Sequence, residues 1–296
     1  MRVLTVEVDD YPVAAVRSEV DGNVHSLVDL GFVTLLDLIR AGPDAWAAAR
    51  KLASSPGKHL YRDVKVLAPI PRTERDVFCV VLNYQSHWDE GRRPPGASMP
   101  LEPMFFTKPW TTLSGPGAIV PLDPAVSTKV DWEAEIAVII GEAGINIPQD
   151  RALEHVFGYC MANDISARDL IFDQGANPQL FKAKSLDGYC PMGPWIATRD
   201  EITDPDCLEI DLWVNEVQKQ HVCAREMIFR IPRIIERLSR GMRLLPGDVI
   251  LTGTSSGVGL WHDPPLFLAD GDNVRMQSEH LGELQFSAGL TNSSNA

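Results

Sequence analysis

Long apolar runs are missing. No stretch of the 296 residues reaches the roughly 18 consecutive apolar residues of a membrane-spanning helix, which excludes a helical span. Positive charge is scarce as well: 27 Lys and Arg face 40 Asp and Glu, leaving a net charge of −13 and a pI near 4.9. Such a surface repels phosphate backbones and anionic bilayers, so neither a nucleic-acid partner nor membrane docking is expected. Paired cysteines are absent. Cys79, Cys160, Cys190, Cys207 and Cys223 are scattered, with no C-x-x-C spacing. A dispersed, odd set in a chain of this length reads as the reduced thiols of a cytoplasmic protein. The N-terminus also lacks the apolar core of a signal peptide, turning acidic by Asp9-Asp10. The acceptor-like triplet Asn292-Ser293-Ser294 therefore carries no weight. There is no internal repeat, and the 22 Gly and 22 Pro follow no period, which excludes a collagen-like chain.

What is present is an ordinary globular composition, 45% apolar and 23% charged. At ~150 residues per domain the length suits about two domains. Residues 1–70 read as a small α/β unit. Strands are expected over 2–8, 13–20 and 24–27, with a turn at 9–12. A helix over 34–41 capped by Thr34 stops at Gly42-Pro43, and a second covers 44–53. After the charged run 72–76 the texture changes. Over 75–290, short apolar runs recur between Gly and Pro signals, and the clearest helix is 231–238. The chain as a whole is then α+β and mainly β, with a roll or sandwich in its larger part. A loose polar tail is expected after residue 290.

Five segments could carry chemistry. In 130–140, Asp131, Glu133 and Glu135 alternate within an Ile/Val-rich strand that is apolar on both faces and therefore interior. Glu133 and Glu135 would lie roughly 7 Å apart. Two such carboxylates either rise in pKa or are neutralised by a cation, and an all-oxygen site suits Mg, Mn or Ca. A solvated edge strand would also tolerate the pair. In 163–169, Asp164 stands at a strand end and Arg168 beside Asp169; a helix cap by Asp164 or Ser166 is the plainer reading. In 83–90, His87 and Glu90 are i, i+3 neighbours on a short helix and can share a proton or hold a water. The flanking loop, 91–100, reads as a lid. In 251–259, a strand runs into a Gly/Ser/Thr turn able to hold a carboxylate or enolate oxygen, with neither phosphate-loop nor dinucleotide spacing. Lys184, among apolar neighbours, could steer an anion.

Taken in order, these segments resemble the fumarylacetoacetate hydrolase family. The resemblance rests on Asn83-Tyr84-x-x-His87-x-x-Glu90, Phe106-x-Lys108, Asp131-Trp132-Glu133-x-Glu135 and Asn163-Asp164-Ile165-Ser166-Ala167-Arg168-Asp169. It continues through Lys184-Ser185, Cys190-Pro191-x-Gly193-Pro194-Trp195 and Thr252-Gly253-Thr254-x-x-Gly257-Val258-Gly259. It implies a β-rich roll with a small N-terminal domain, a homodimer, and a bound Mg2+, Mn2+ or Ca2+ on Glu133, Glu135 and Asp164. It further implies that His87 with Glu90 activates water, and that Lys184 sits near a developing enolate. Arg168, Gln179, Thr254 and Tyr84 would contact a small anionic 2-oxo acid. The reaction implied is hydrolysis of a C–C bond in an acylpyruvate-type 2,4-dioxo acid through a metal-bound enolate. Decarboxylation, isomerisation or hydration of a related 2-oxo acid is the alternative, and aromatic or sugar-acid catabolism the setting. Two positions depart from the family pattern: Ile171 stands where relatives carry Gln, and Ser255 where they carry Pro. Both touch the substrate pocket, not the metal ligands.

Overall fold

The computed structural model describes residues 1–91, 96, 98–173, 175 and 177–291. Residues 92–95 and 97 of the expected lid, and 292–296 with the acceptor-like triplet, lie outside them. The N-terminal segment contains β1 (Arg2–Val8), β2 (Tyr11–Arg17), β3 (Val24–Ser26), α1 (Leu35–Ala41), α2 (Pro43–Ala53) and β4 (Lys65–Leu67). Asp9 and Asp10 both take positive φ, 50° and 65°, and close the β1–β2 hairpin as a two-residue turn. Thr34 caps α1 in a reciprocal box with Asp37, at 3.2 and 2.8 Å. Gly42 ends α1, and Pro43 opens α2 at a position where its missing N–H costs nothing.

The rest of the chain supplies β5 (Val77–Val81), α3 (Gln85–Glu90), β6 (Met104–Lys108), β7 (Leu113–Ser114), β8 (Ile119–Leu122), β9 (Val130–Asp131) and β10 (Ala134–Ile140). These are followed by β11 (Val156–Asn163), β12 (Ser166–Ala167), α4 (Arg168–Phe172), α5 (Leu180–Lys184), β13 (Cys190–Thr198), β14 (Glu209–Val214) and β15 (Val217–Cys223). The chain closes with α6 (Ile231–Leu238), β16 (Val249–Leu251), β17 (Asn273–Ser278) and β18 (Gly282–Leu290). Among the described residues a large sheet runs β3-β2-β1-β13-β11-β10-β16-β5-β6, and a second runs β15-β14-β17-β18-β8. Ile136 and Val138 of β10 pack with Leu212, Val274 and Phe286 of the second sheet. Ala137 and Ile139, on the opposite face, pack with Leu38, Ile39 and Trp46 of the N-terminal helices. The large sheet is thus the middle layer, and β10 is buried along its whole length. The fold is α+β and mainly β, as expected.

Two expectations need correction. Residues 1–70 are not set apart by hydrogen bonding. Arg2 and Val3 of β1 pair with Ala197 and Ile196 of β13, which extends the large sheet across the anticipated boundary. Nor do residues 130–140 form one strand. Asp131 Oδ1 accepts from Trp132 N at 2.8 Å, and Asn163 Oδ1 from Glu133 N at 3.0 Å. These side chains take two backbone amides out of the ladder, so β9 turns to pair with β12 and β10 starts at Ala134. Among the described residues no helix is long and apolar enough to cross a membrane. The five cysteines are unpaired, and Cys79, Cys160 and Cys190 are buried.

Candidate metal centre

The register of β10 on β11 assembles the site. Ala134 lies opposite Asn163 and Glu135 opposite Ala162, and Asp164 N donates to Glu133 O at 2.8 Å one step beyond. The end of this strand pair brings one carboxylate oxygen each from Glu133, Glu135 and Asp164 within 4.8 Å of one another. All three residues are buried.

Three cations surround them. Lys184, at the end of α5, places Nζ 2.7 Å from both Glu133 Oε2 and Asp164 Oδ2. Lys108, fully buried at the end of β6, donates to Asp164 Oδ1 at 2.7 Å. Arg168 turns away from its neighbour Asp169: Nε donates to Asp131 Oδ2 at 2.8 Å, and a terminal nitrogen lies 2.6 Å from Glu133 Oε1. That second contact is close but not aligned as a hydrogen bond. Asp169 accepts instead from Ser127 Oγ and Thr128 N. Neither Asp164 nor Ser166 caps α4, so the plainer reading of that motif does not hold.

The formal charges do not cancel. Asp131, Glu133, Glu135 and Asp164 face Lys108, Arg168 and Lys184, and among the described residues no salt bridge reaches Glu135. Burial would push Glu133 up, but Lys184 and Arg168 outweigh it and hold its carboxyl well below the usual range. Burial, with Asp164 and Glu133 beside it, pushes Glu135 well above its ordinary value. Burial works against charge on Lys184, yet Asp164 and Glu133 keep its ammonium more firmly protonated than a free lysine. An all-oxygen trio with an excess buried negative charge fits a hard divalent cation such as Mg2+ or Mn2+.

That excess has a measurable consequence. Metal binding requires Glu135 ionised, so a proton leaves as the ion enters. Affinity for Mn2+ is expected to rise with pH above the ordinary carboxylate range. Calorimetric titrations in buffers of different ionisation heat should show protons released to the buffer, and a buffer-independent heat would contradict this. The buried pair Lys108–Asp164 gives a second prediction. Lys108→Met leaves Asp164 without one of its two ammonium partners and should cost about 3–5 kcal/mol of stability in chelator. Urea unfolding checks it, and a loss under about 1 kcal/mol would show the pair is dispensable.

His87 and Glu90 share one face of α3. His87 Nδ1 lies 2.6 Å from Glu90 Oε1, and Glu90 Oε2 accepts from Gly257 N at 2.7 Å. The loop after β16 therefore holds the dyad. Its Gly253 has φ +92°, aims its N–H at Glu135 Oε2 at 2.6 Å, and would bring a Cβ to 2.8 Å from the Asn83 Cβ. Gly257 has φ +100°, and a Cβ there would sit 1.9 Å from Lys219 O. Gly253 and Gly257 are thus required by backbone geometry.

A cavity of about 350 Å³ opens on this group. Glu133, Glu135, Asp164, His87, Arg168, Lys184 and Thr254 all line it. A larger cavity, about 560 Å³, lies beside Met1 and Arg17 and contains none of the anticipated site residues. Two anticipated contacts are placed elsewhere. Tyr84 is fully buried in the core and is not in the cavity wall. Gln179 is exposed, and its amide donates to Asn177 O at 3.2 Å. Thr254 reaches the cavity, but its hydroxyl donates to Ala134 O and accepts from Gln220 Nε2. Four residues given no role by sequence shape the site. Lys108 holds Asp164, and Asp131 holds Arg168 and the N–H groups of Gly259 and Leu260. Asn163 holds Glu133 N, and Gln220 ties Ala134 N to Thr254. A polar residue at an inward strand position was the available signal for Gln220, which is buried like Val222 two residues on.

Comparison with known proteins agrees with this geometry. The family description "Fumarylacetoacetate (FAA) hydrolase C-terminal" matches residues 76–287, more than half of the chain. The chain belongs to the fumarylacetoacetate hydrolase family. Within the family it is 40% identical over 260 residues to the oxaloacetate tautomerase YisK of Bacillus subtilis, covering 85% of each chain. The solved fumarylacetoacetate hydrolase of Exiguobacterium antarcticum is 33% identical, with a TM-score of 0.85 over 98% of this chain and 100% of that one. Maleylpyruvate hydrolase from Sphingobium sp. SYK-6, solved with manganese(II) and pyruvate, is 26% identical, with a TM-score of 0.78 over 99% and 100%.

Proposed function

We propose that this family member is a divalent-metal-dependent enolising enzyme acting on small anionic 2-oxo acids, with keto–enol tautomerisation as its leading reaction and oxaloacetate as one substrate. The observation that carries the reading is the position of His87, which lines the same cavity as the carboxylate trio while Glu90 engages its Nδ1. The similarity to an oxaloacetate tautomerase supports the choice of substrate. Glu133, Glu135 and Asp164 would hold Mg2+ or Mn2+, which supplies Lewis-acid polarisation of the 2-oxo group when bound. His87 Nε2 removes a proton from the carbon beside the carbonyl, and the imidazolium returns it to the enolate oxygen. Only C–H and O–H bonds change, and Glu90 stabilises the charged ring between the two transfers. Lys184 brings positive charge to the same cavity wall, beside the developing enolate oxygen. Arg168 and Thr254 border the substrate, with Arg168 chiefly orienting Glu133.

C–C hydrolysis is the second reading. A His–Glu pair fixed to the backbone at Gly257 is equally suited to activating water, and the similar maleylpyruvate hydrolase is a hydrolase by name. Metal-stripped protein incubated with oxaloacetate and a panel of acylpyruvates, with and without Mg2+ or Mn2+, separates them. Faster decay of the oxaloacetate enol absorbance without pyruvate release supports tautomerisation. Release of pyruvate plus a carboxylic acid from acylpyruvates moves the assignment to hydrolysis, and carbon dioxide from oxaloacetate moves it to decarboxylation. The homodimer implied by the family resemblance belongs to the same proposal and is read by sedimentation.

A further inference from the structure

The cavity has two unlike ends. Its ionisable groups gather around the carboxylate trio, whereas the wall formed by α4, α5 and the turn after Gly259 presents Ile171, Phe172, Leu180, Leu260 and Trp261. Phe172 is 52% exposed, yet its ring meets Trp261 edge-on, with centroids 6.0 Å apart. Leu180, Leu260 and Trp261 are likewise only partly covered by the protein itself. Apolar side chains left half in water around a concave site gain free energy when a ligand covers them. Ile171 adds to this apolar wall, and among the described residues no polar side chain takes its place: Gln179 donates to Asn177 O. The two cationic lining residues at the cavity, Lys184 and Arg168, are both engaged by buried carboxylates. Among the described residues this wall therefore offers no ionic partner to a second carboxylate.

We propose that this wall is a subsite for an apolar substituent, so that the favoured substrates are 2-oxo acids bearing an alkyl or aryl group rather than a bare dicarboxylate. The proposal rests on the reading that the trio, with its metal, holds the 2-oxo acid end. Offset stacking on the Phe172–Trp261 pair makes an aryl group the better fit. The unreactive probes oxamate and N-phenyloxamate test it by calorimetry on the Mn2+-loaded protein, because binding is read without turnover. The expected result is metal-dependent binding of both, at least tenfold tighter for the phenyl compound. That advantage should shrink to less than threefold in Ile171→Gln and in Trp261→Ala. Turnover follows the same ratio: kcat/KM for enolisation of phenylpyruvate should exceed that for oxaloacetate, and the two variants should reverse the order. Metal-dependent binding of oxamate with no gain from the ring, or equal losses for both probes in the variants, overturns the subsite and leaves the proposed function standing. No metal-dependent binding of either probe overturns both.

Discussion

Glu135→Gln is expected to abolish metal-dependent turnover while making the metal-free protein more stable. The two effects have one cause. Glu135 is the buried acid without an ion-pair partner among the described residues, and burial, Asp164 and Glu133 all raise its pKa. A carboxyl whose folded pKa exceeds its unfolded one favours the fold most below the unfolded value, ordinarily near 4.5. That contribution is lost as pH rises through the folded value. At neutral pH the wild-type protein in chelator therefore carries a cost that Gln removes. A gain in stability at neutral pH, shrinking towards acid pH, is therefore expected. The amide oxygen still accepts from Gly253 N, which keeps the loop in place. The same substitution deletes an anionic ligand, and Mn2+ affinity should fall by more than the roughly 100-fold that changes beyond the ligand shell produce. Thermal unfolding in chelator at acid and neutral pH, paired with Mn2+ calorimetry, reads both. A variant that is destabilised at neutral pH yet binds Mn2+ normally would show that Glu135 is a structural acid only.

His87→Ala should separate chemistry from metal binding. His87 is not among the three carboxylates, so Mn2+ affinity should stay within about threefold, given that no oxygen ligand is removed. Turnover should fall by about 10²–10⁴, the usual worth of a positioned acid–base group. Glu90→Gln is expected to fall between wild type and His87→Ala, because the amide still accepts from Gly257 N but cannot stabilise a protonated ring. Parallel loss of metal affinity and rate in His87→Ala would mean that the histidine supports the metal site instead of moving protons.

Much of this site was legible from local pattern. Glu133 and Glu135 stood out because two acids interrupt a strand otherwise apolar on both faces, and Asp164 because an acid followed an apolar run at a strand end. Thr34, Gly42 and Pro43 marked the helix boundaries through capping chemistry that is local by nature. What stayed hidden depends on contacts between distant segments. The break at Trp132-Glu133 requires Asn163, thirty residues on, to take the Glu133 amide. Lys108 is separated from Asp164 by 56 positions, and no spacing rule pairs a lysine at one strand end with an acid at another. The union of residues 1–70 with the main sheet depends on β1 meeting β13, an edge-to-edge pairing across nearly two hundred residues. Tyr84 and Gln179 were drawn in by motif position alone. The fold buries the first beneath the site and turns the second to solvent, because adjacency in a motif does not fix the direction of a side chain.

The most direct measurement is metal titration of the tautomerisation rate. Protein stripped with chelator is given oxaloacetate enol, and decay of its absorbance is followed as Mn2+ is restored and bound metal is counted. The predicted result is no rate above buffer in the stripped protein, with recovery in proportion to bound Mn2+ and saturation at one ion per chain. An undiminished rate in the stripped protein would contradict it.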